Sequence, residues 1–197
     1  MRIEHFFFIQ SPYAYLGFQR LLDIAARHGA EVIHRPMSGG RIFPATGGLP
    51  LAQRPPERLK YRLVELDRWR TYLGVPLNLE PAHFPHPDMP GAGVVLAARE
   101  AGLDAGRLAM AIQRATWAEE RNMGDEAQVA ALLIENNFPA DLLEAGKSEA
   151  IQKTFEAESD AALAYGIFGA PSYVLDGELF WGQDRLDFLD RALAARA

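Results

Sequence analysis

Aromatic and branched side chains crowd residues 3–9, with Phe6, Phe7, Phe8 and Ile9 unbroken, and the run stops at Ser11-Pro12. A short apolar run closed by a turn signal reads as a buried strand. Over residues 12–28 the apolar positions Tyr15, Leu16, Leu22, Ile24 and Ala25 follow a helical period, with Pro12 in the first turn and Gly29 just past the end. Proline is tolerated at a helix start and glycine is welcome after its end. Residues 31–35 read as a second short strand before Pro36. A strand, a helix and a parallel strand form a unit whose crossover is right-handed.

Residues 38–56 are dense in glycine and proline and hold no sustained period, which predicts a long surface loop of the kind that often carries function. Helical periods follow at 57–73, 91–101, 105–121, 126–136, 140–144 and 148–165. Between the first two of these, residues 76–90 hold five prolines and no glycine, favouring an extended connector. The period then returns to two at Ser172–Leu175 and Glu178–Trp181, on either side of Asp176-Gly177, a two-residue hairpin signal. A last helix is predicted over 184–196. This order predicts an α/β fold, a thioredoxin-like domain interrupted by an all-helical insertion. Residues 1–56 and 166–197 make the discontinuous thioredoxin-like domain, residues 57–165 the insertion, and the helix at 148–165 can join either.

With 49% hydrophobic and 23% charged residues among 197, the chain can bury a sizeable core. Its formal net charge of −6 offers no electrostatic footprint for nucleic acid or for an anionic membrane surface, so a small-molecule or protein partner is expected. The apolar run near the start is too short for a membrane span or a signal-peptide core, and a cytoplasmic location is expected. There is no cysteine, which excludes disulfides, thiolate metal sites and redox cycling on the protein's own sulfur. Thiol chemistry here must use a bound thiol.

Three stretches carry candidate chemistry. Ser11-Pro12-Tyr13-Ala14 stands where the first strand ends and the first helix begins, so unpaired N–H groups and the positive end of the helix dipole favour an anion there. Thioredoxin-like oxidoreductases place a low-pKa cysteine at this position; a serine hydroxyl can instead donate to a thiolate the chain does not own. Ser11 is also a favoured N-cap, and capping alone accounts for it. In the second stretch, residues 166–172, Pro171 opens a strand. A cis bond there turns the Ala170 backbone toward the helix start, and a trans proline that only stops the preceding helix is the alternative. In the third, Trp181-Gly182-Gln183-Asp184-Arg185, Asp184 caps the last helix and Gln183 can both donate and accept. An amino-acid head group suits this pair, its amine on Asp184 and its carboxylate at the helix start, though plain capping explains Asp184 too.

Other residues weigh less. Arg54, Arg58 and Arg62 lie four apart and form one basic stripe if all are helical, either a ligand face or a solvated one. Arg41, in the glycine-rich loop, is a candidate contact for a substrate carboxylate. His83 and His86, with Asp88 nearby, could suggest a metal, but the prolines hold them in an extended loop without another strong ligand, so no metal site is expected. Phe6, Phe7, Phe8, Trp69 and Trp117 read as core or cleft lining.

The three stretches, together with Arg68-Trp69, Gly74-Val75-Pro76, Trp117-Ala118-Glu119 and residues 180–186, resemble the 2-hydroxychromene-2-carboxylate isomerase and kappa-class glutathione transferase family, which has a DsbA-like thioredoxin fold. The resemblance implies a homodimer that holds glutathione with its sulfur near Ser11. It implies that the Ala170 backbone, before a cis Pro171, pairs with the cysteinyl part, and that Gln183 and Asp184 hold the γ-glutamyl end. Gln53 and Arg58 stand where the family commonly has asparagine and lysine, and both are assigned to glutathione; Tyr13 and Arg41 are assigned to the substrate. Asn122 stands where an aspartate is common. The implied reaction is reversible thiolate addition to a ring-opened aromatic pyruvate, rotation about the former double bond, and departure of the thiolate. The rivals are a kappa-type transferase, which would release a conjugate, and a non-catalytic thioredoxin-like binding protein, which would be expected to have lost Pro171, Gln183 and Asp184.

Overall fold

The computed structural model describes residues 1–196. Strand β1 (Arg2–Phe7) leads to α1 (Pro12–Arg27) and β2 (Glu31–Pro36). Then come α2 (Gly39–Thr46), α3 (Pro56–Leu73), α4 (Gly91–Glu100), α5 (Ala105–Trp117), α6 (Glu126–Glu135), α7 (Leu142–Gly146) and α8 (Glu149–Ala164). The hairpin β3 (Ser172–Leu175) and β4 (Glu178–Trp181) and a final helix α9 (Leu186–Ala194) complete the chain. No helix among the described residues is long and apolar enough to cross a membrane.

The sheet order is β2-β1-β3-β4. β1 runs parallel to β2, with His5 opposite His34, and antiparallel to β3, with His5 opposite Tyr173. The Asp176-Gly177 turn joins β3 to β4 with both residues at positive φ, 50° and 84°, as the hairpin signal predicts. β1 is buried on both faces from Ile3 to Phe7, which is why Ile3, Phe6 and Phe7 show no alternation of apolar and polar positions. Ile3, Tyr173 and Leu175 pack on α1 and α9, whereas Phe6 and Val174 face the other way, toward Met37, Ile42 and Ala162. Phe7, Ile9, Ala14 and Phe18 share one cluster with the buried faces of α4, α5 and α6. The inserted helices and the sheet are thus joined by a continuous core. Glu158 of α8 ties them further, reaching Arg35 of β2 at 3.2 Å and Arg99 of α4 at 2.7 Å.

Four expectations are corrected. The predicted loop at 38–56 contains α2 and a 3-10 turn, Leu51–Gln53. α2 forms because Ile42, fully buried, docks among Phe6, Phe8 and Met37, with Phe43 packed beside it; one fully buried side chain in eight residues is too short a record to show a period. Helix α5 stops at Trp117, four residues early: the Trp117 carbonyl accepts from Asn78 N, and Glu120 turns to φ 54°. The proline-rich connector is folded back, with cis bonds at Phe84–Pro85 and Met89–Pro90 and the Phe84 ring 4.7 Å from that of Trp117. The last helix begins at Leu186 after a 3-10 turn, Gln183–Arg185, and Asp184 does not cap it. Gly182, at φ 101°, bends the chain so that the Asp184 carboxylate meets Arg185 Nη1 at 2.6 Å.

Candidate functional site

Ser11 sits at the N-cap of α1, buried, with its Oγ accepting from Ala14 N at 3.2 Å. The cap reading is therefore correct, and it leaves the hydroxyl hydrogen without an acceptor among the described residues. Capping and donation to an anion use different parts of one hydroxyl. The Ala170–Pro171 bond is cis. Pro171 O accepts from Gly182 N at 2.8 Å, which fixes the segment against β4. The N–H and C=O of Ala170 have no partner among the described residues, although Ala170 is partly buried.

Beside these groups lies a cleft of about 580 Å³ between α3 and the 169–185 segment. Tyr13, Ala170, Gln183 and Asp184 line it, with Arg58 and Arg62 from α3 facing them. Ser11 and Pro171 stand next to lining residues rather than in the lining itself. Trp181 closes one side: its indole nitrogen lies so near Gly169 that a Cβ there would sit 2.5 Å away, and its ring packs on Phe168 at 4.6 Å. Gly169 is thus the residue that lets the tryptophan approach.

Gln183 is 2% exposed. Its Oε1 and its backbone oxygen each accept from Arg20 Nη1 at 3.3 Å, which turns the amide nitrogen away, unpaired. Asp184 keeps 40% of its side chain exposed. Tyr13 is only partly buried, yet burial raises its phenol above the ordinary tyrosine range while Arg62 pulls it back. At neutral pH it is therefore a neutral donor.

The structure does not bring every predicted residue together. Gln53 lies exposed in the 3-10 turn outside the cleft, and its neighbour Arg54 lines the wall instead. Arg41 belongs to α2 and is held away, ion-paired with Asp160 and donating to the Glu156 carbonyl. Asn122 is used locally, accepting from Gly124 N at 3.1 Å. His86 bonds Thr116 and the Pro87 carbonyl, and no group of three or more His, Cys, Asp or Glu side chains is set to hold a metal among the described residues. Tyr61, Glu65 and Trp69 line the cleft without having been singled out as binding residues. The spacing 58, 62, 65, 69 marks one helical face, and that was the available signal. A second cavity of about 470 Å³, between α1, β2 and the start of α5, contains none of the predicted site residues.

The chain matches the family described as DSBA-like thioredoxin domain over residues 2–194. It is 29% identical over 193 residues to a 2-hydroxychromene-2-carboxylate isomerase of Sphingobium xenophagum, with 97% of each chain covered. To a protein of the same name from Pseudomonas putida it is 27% identical over 195 residues, covering 98% of this chain and 94% of that one. A solved structure of a 2-hydroxychromene-2-carboxylate isomerase superposes with a TM-score of 0.81 at 25% identity, covering 99% of this chain and 95% of the other. The resemblance drawn from the sequence motifs is met by relatives that carry the isomerase name. With the strand order, the helix start at Ser11 and a match that runs nearly from end to end, the chain belongs to the DSBA-like thioredoxin domain family.

Proposed function

We propose that the protein is an isomerase that interconverts 2-hydroxychromene-2-carboxylate, or a related aromatic substrate, and its ring-opened o-hydroxybenzylidenepyruvate, using bound glutathione. The observation that carries this reading is that, in a chain without cysteine, Tyr13 of the Ser11 helix start and the unpaired Ala170 backbone line one cleft. The likeness to relatives named for this activity supports it.

The residues present fit a γ-glutamyl tripeptide. Ala170 offers one free donor and one free acceptor, the pairing a peptide unit needs. Gln183 offers an unpaired amide and Asp184 a half-exposed carboxylate for an α-amino group. When bound, glutathione supplies the thiolate for reversible conjugate addition. The chain's part is to hold that sulfur beside the Ser11 hydroxyl and the positive end of α1, both of which favour the ionised form. Arg58 and Arg62 set a positive field opposite, suited to an anionic substrate. Tyr13, a neutral phenol, can donate to a substrate oxygen. Assembly as a homodimer and a cytoplasmic setting, where thiols are kept reduced, complete the proposal.

The test is isomerisation followed by absorbance with and without glutathione, together with a count of free thiol. Turnover that requires glutathione and leaves its amount unchanged is expected. Depletion one for one with product would make the protein a transferase, and absence of glutathione binding at millimolar concentration would favour a non-catalytic binding protein.

A further inference from the structure

Among the described residues, one half-buried charge of the cleft, that of Arg62, meets no ion-pair or hydrogen-bond partner. Of the carboxylates that line the cleft, Glu57 lies five residues back on the helix, off the face of Arg62, and the other two are engaged elsewhere. Glu65, one helical turn on, accepts from Tyr61 at 2.8 Å and from Arg68 at 3.4 Å, and Asp184 is paired with Arg185. The other two arginines of the stripe differ from it: Arg54 donates to the Leu49 carbonyl, and Arg58 is exposed.

The Arg62 guanidinium is also held in place. It lies over the rings of Phe84 and Trp117, 5.5 and 5.7 Å from their centroids, and Trp117 is fully buried with its indole donating to the Gln10 carbonyl at 3.3 Å. Stacking on fixed rings orients the planar donor fork before any ligand arrives. A guanidinium partly removed from water gains more from an anion than an exposed one, because less of the attraction is screened. Its fork fits a carboxylate with two parallel hydrogen bonds. Tyr13 and Trp69 adjoin it as the half-buried aromatic part of the same wall.

We propose that Arg62 is the anchor for the carboxylate of an aromatic acid whose ring lies against Tyr13 and Trp69, the role for which the sequence offers Arg41 of the glycine-rich loop. The assignment rests on the aromatic carboxylate substrate of the proposed function, and it deepens that reading by naming the residue that selects the acid.

The experiment uses an unreactive probe, 3-(2-hydroxyphenyl)propanoate, against its primary amide, measured by calorimetry on the full chain. The native protein is expected to prefer the acid by about tenfold or more, the size of a charge-assisted hydrogen bond. Arg62→Gln and Arg62→Met are expected to lose that preference. The methionine variant keeps an apolar stem over Phe84 and Trp117, so that at least one folded variant reports. Arg62→Lys is expected to retain part of it. Equal binding of acid and amide by the native protein, an undiminished preference in the Arg62 variants, or its loss in Arg41→Gln instead would overturn the anchor. Substrate turnover separates the two proposals. Acid preference lost with Arg62 in a protein that does not isomerise 2-hydroxychromene-2-carboxylate leaves the anchor standing and removes the isomerase. Turnover with unchanged KM in Arg62→Gln leaves the isomerase and removes the anchor.

Discussion

Ser11 concentrates the chemistry of the cleft in one hydroxyl that accepts from Ala14 N while its own hydrogen is free. Replacing it by alanine removes a cap, at a cost of about 1 kcal/mol, and the fold is expected to survive. A hydrogen bond to a bound thiolate is worth roughly 1.5–3 kcal/mol, so the thiol pKa of bound glutathione is expected to rise by about one to two units in Ser11→Ala. Thiolate absorbance titrated across pH in both proteins reads this directly. An unchanged titration would reduce Ser11 to a cap and make Tyr13 the next candidate. Single residues are also where expectation and position part. Gln53 and Arg41 have the right chemistry, but one faces solvent and the other is bound to α8. Side-chain type shows what a residue can do, and only the packing of its element shows where it points.

Helix α1 carries the clearest case of close approach. Gly17 lies in its middle, where alanine would ordinarily be better by about 1 kcal/mol. A Cβ at this position would stand 2.6 Å from Gln183 Cβ and 3.1 Å from the Tyr173 hydroxyl. Overpacking costs about 1–3 kcal/mol, so Gly17→Ala is expected to lower the melting temperature and, by displacing Gln183, to weaken glutathione binding. A rise in melting temperature with unchanged affinity would contradict both. The short helix α2 depends on the opposite feature, a large side chain that is its one fully buried residue. Ile42→Ala empties a fully buried position and is expected to destabilise the chain by about 2–5 kcal/mol, with faster amide exchange over 39–46 than elsewhere. Uniform exchange with intact stability would show that α2 is held by something other than Ile42.

Across the sheet, two buried histidines make the centre of the molecule sensitive to acid. His5 of β1 and His34 of β2 are both buried, their Nδ1 atoms 3.1 Å apart, and His5 stacks on Phe7 and Tyr173. Burial pushes His34 down to about 4, helped by Arg99 and opposed by Asp104, and pushes His5 well below its usual range, with His34 adding to the effect. Both are neutral in the folded state at neutral pH. Below about pH 6.5 the unfolded chain takes up protons that the folded one refuses, so stability falls as pH drops through that value and the loss from His34 is complete near its folded pKa. For His34 alone the loss is on the order of 3 kcal/mol. Urea midpoints between pH 7 and 4.5 are expected to fall steeply in the native protein and less steeply in a His5→Phe, His34→Phe double variant. Equal slopes would assign the acid sensitivity to carboxylates instead.

The local alternation and helical periods in the chain determined the order of the strands and of every α-helix but α2, the Asp176-Gly177 hairpin and the cap at Ser11, because each depends on neighbours within a few residues. They also determined that any thiol must be borrowed, since the chain has no cysteine. The tertiary structure alone decided that Ile42 would make a helix of a glycine-rich loop and that Arg62 rather than Arg41 would stand unpaired in the cleft. Each of these depends on contacts between residues far apart in the chain, where packing and competing charged partners outweigh local preference, and no local pattern records them.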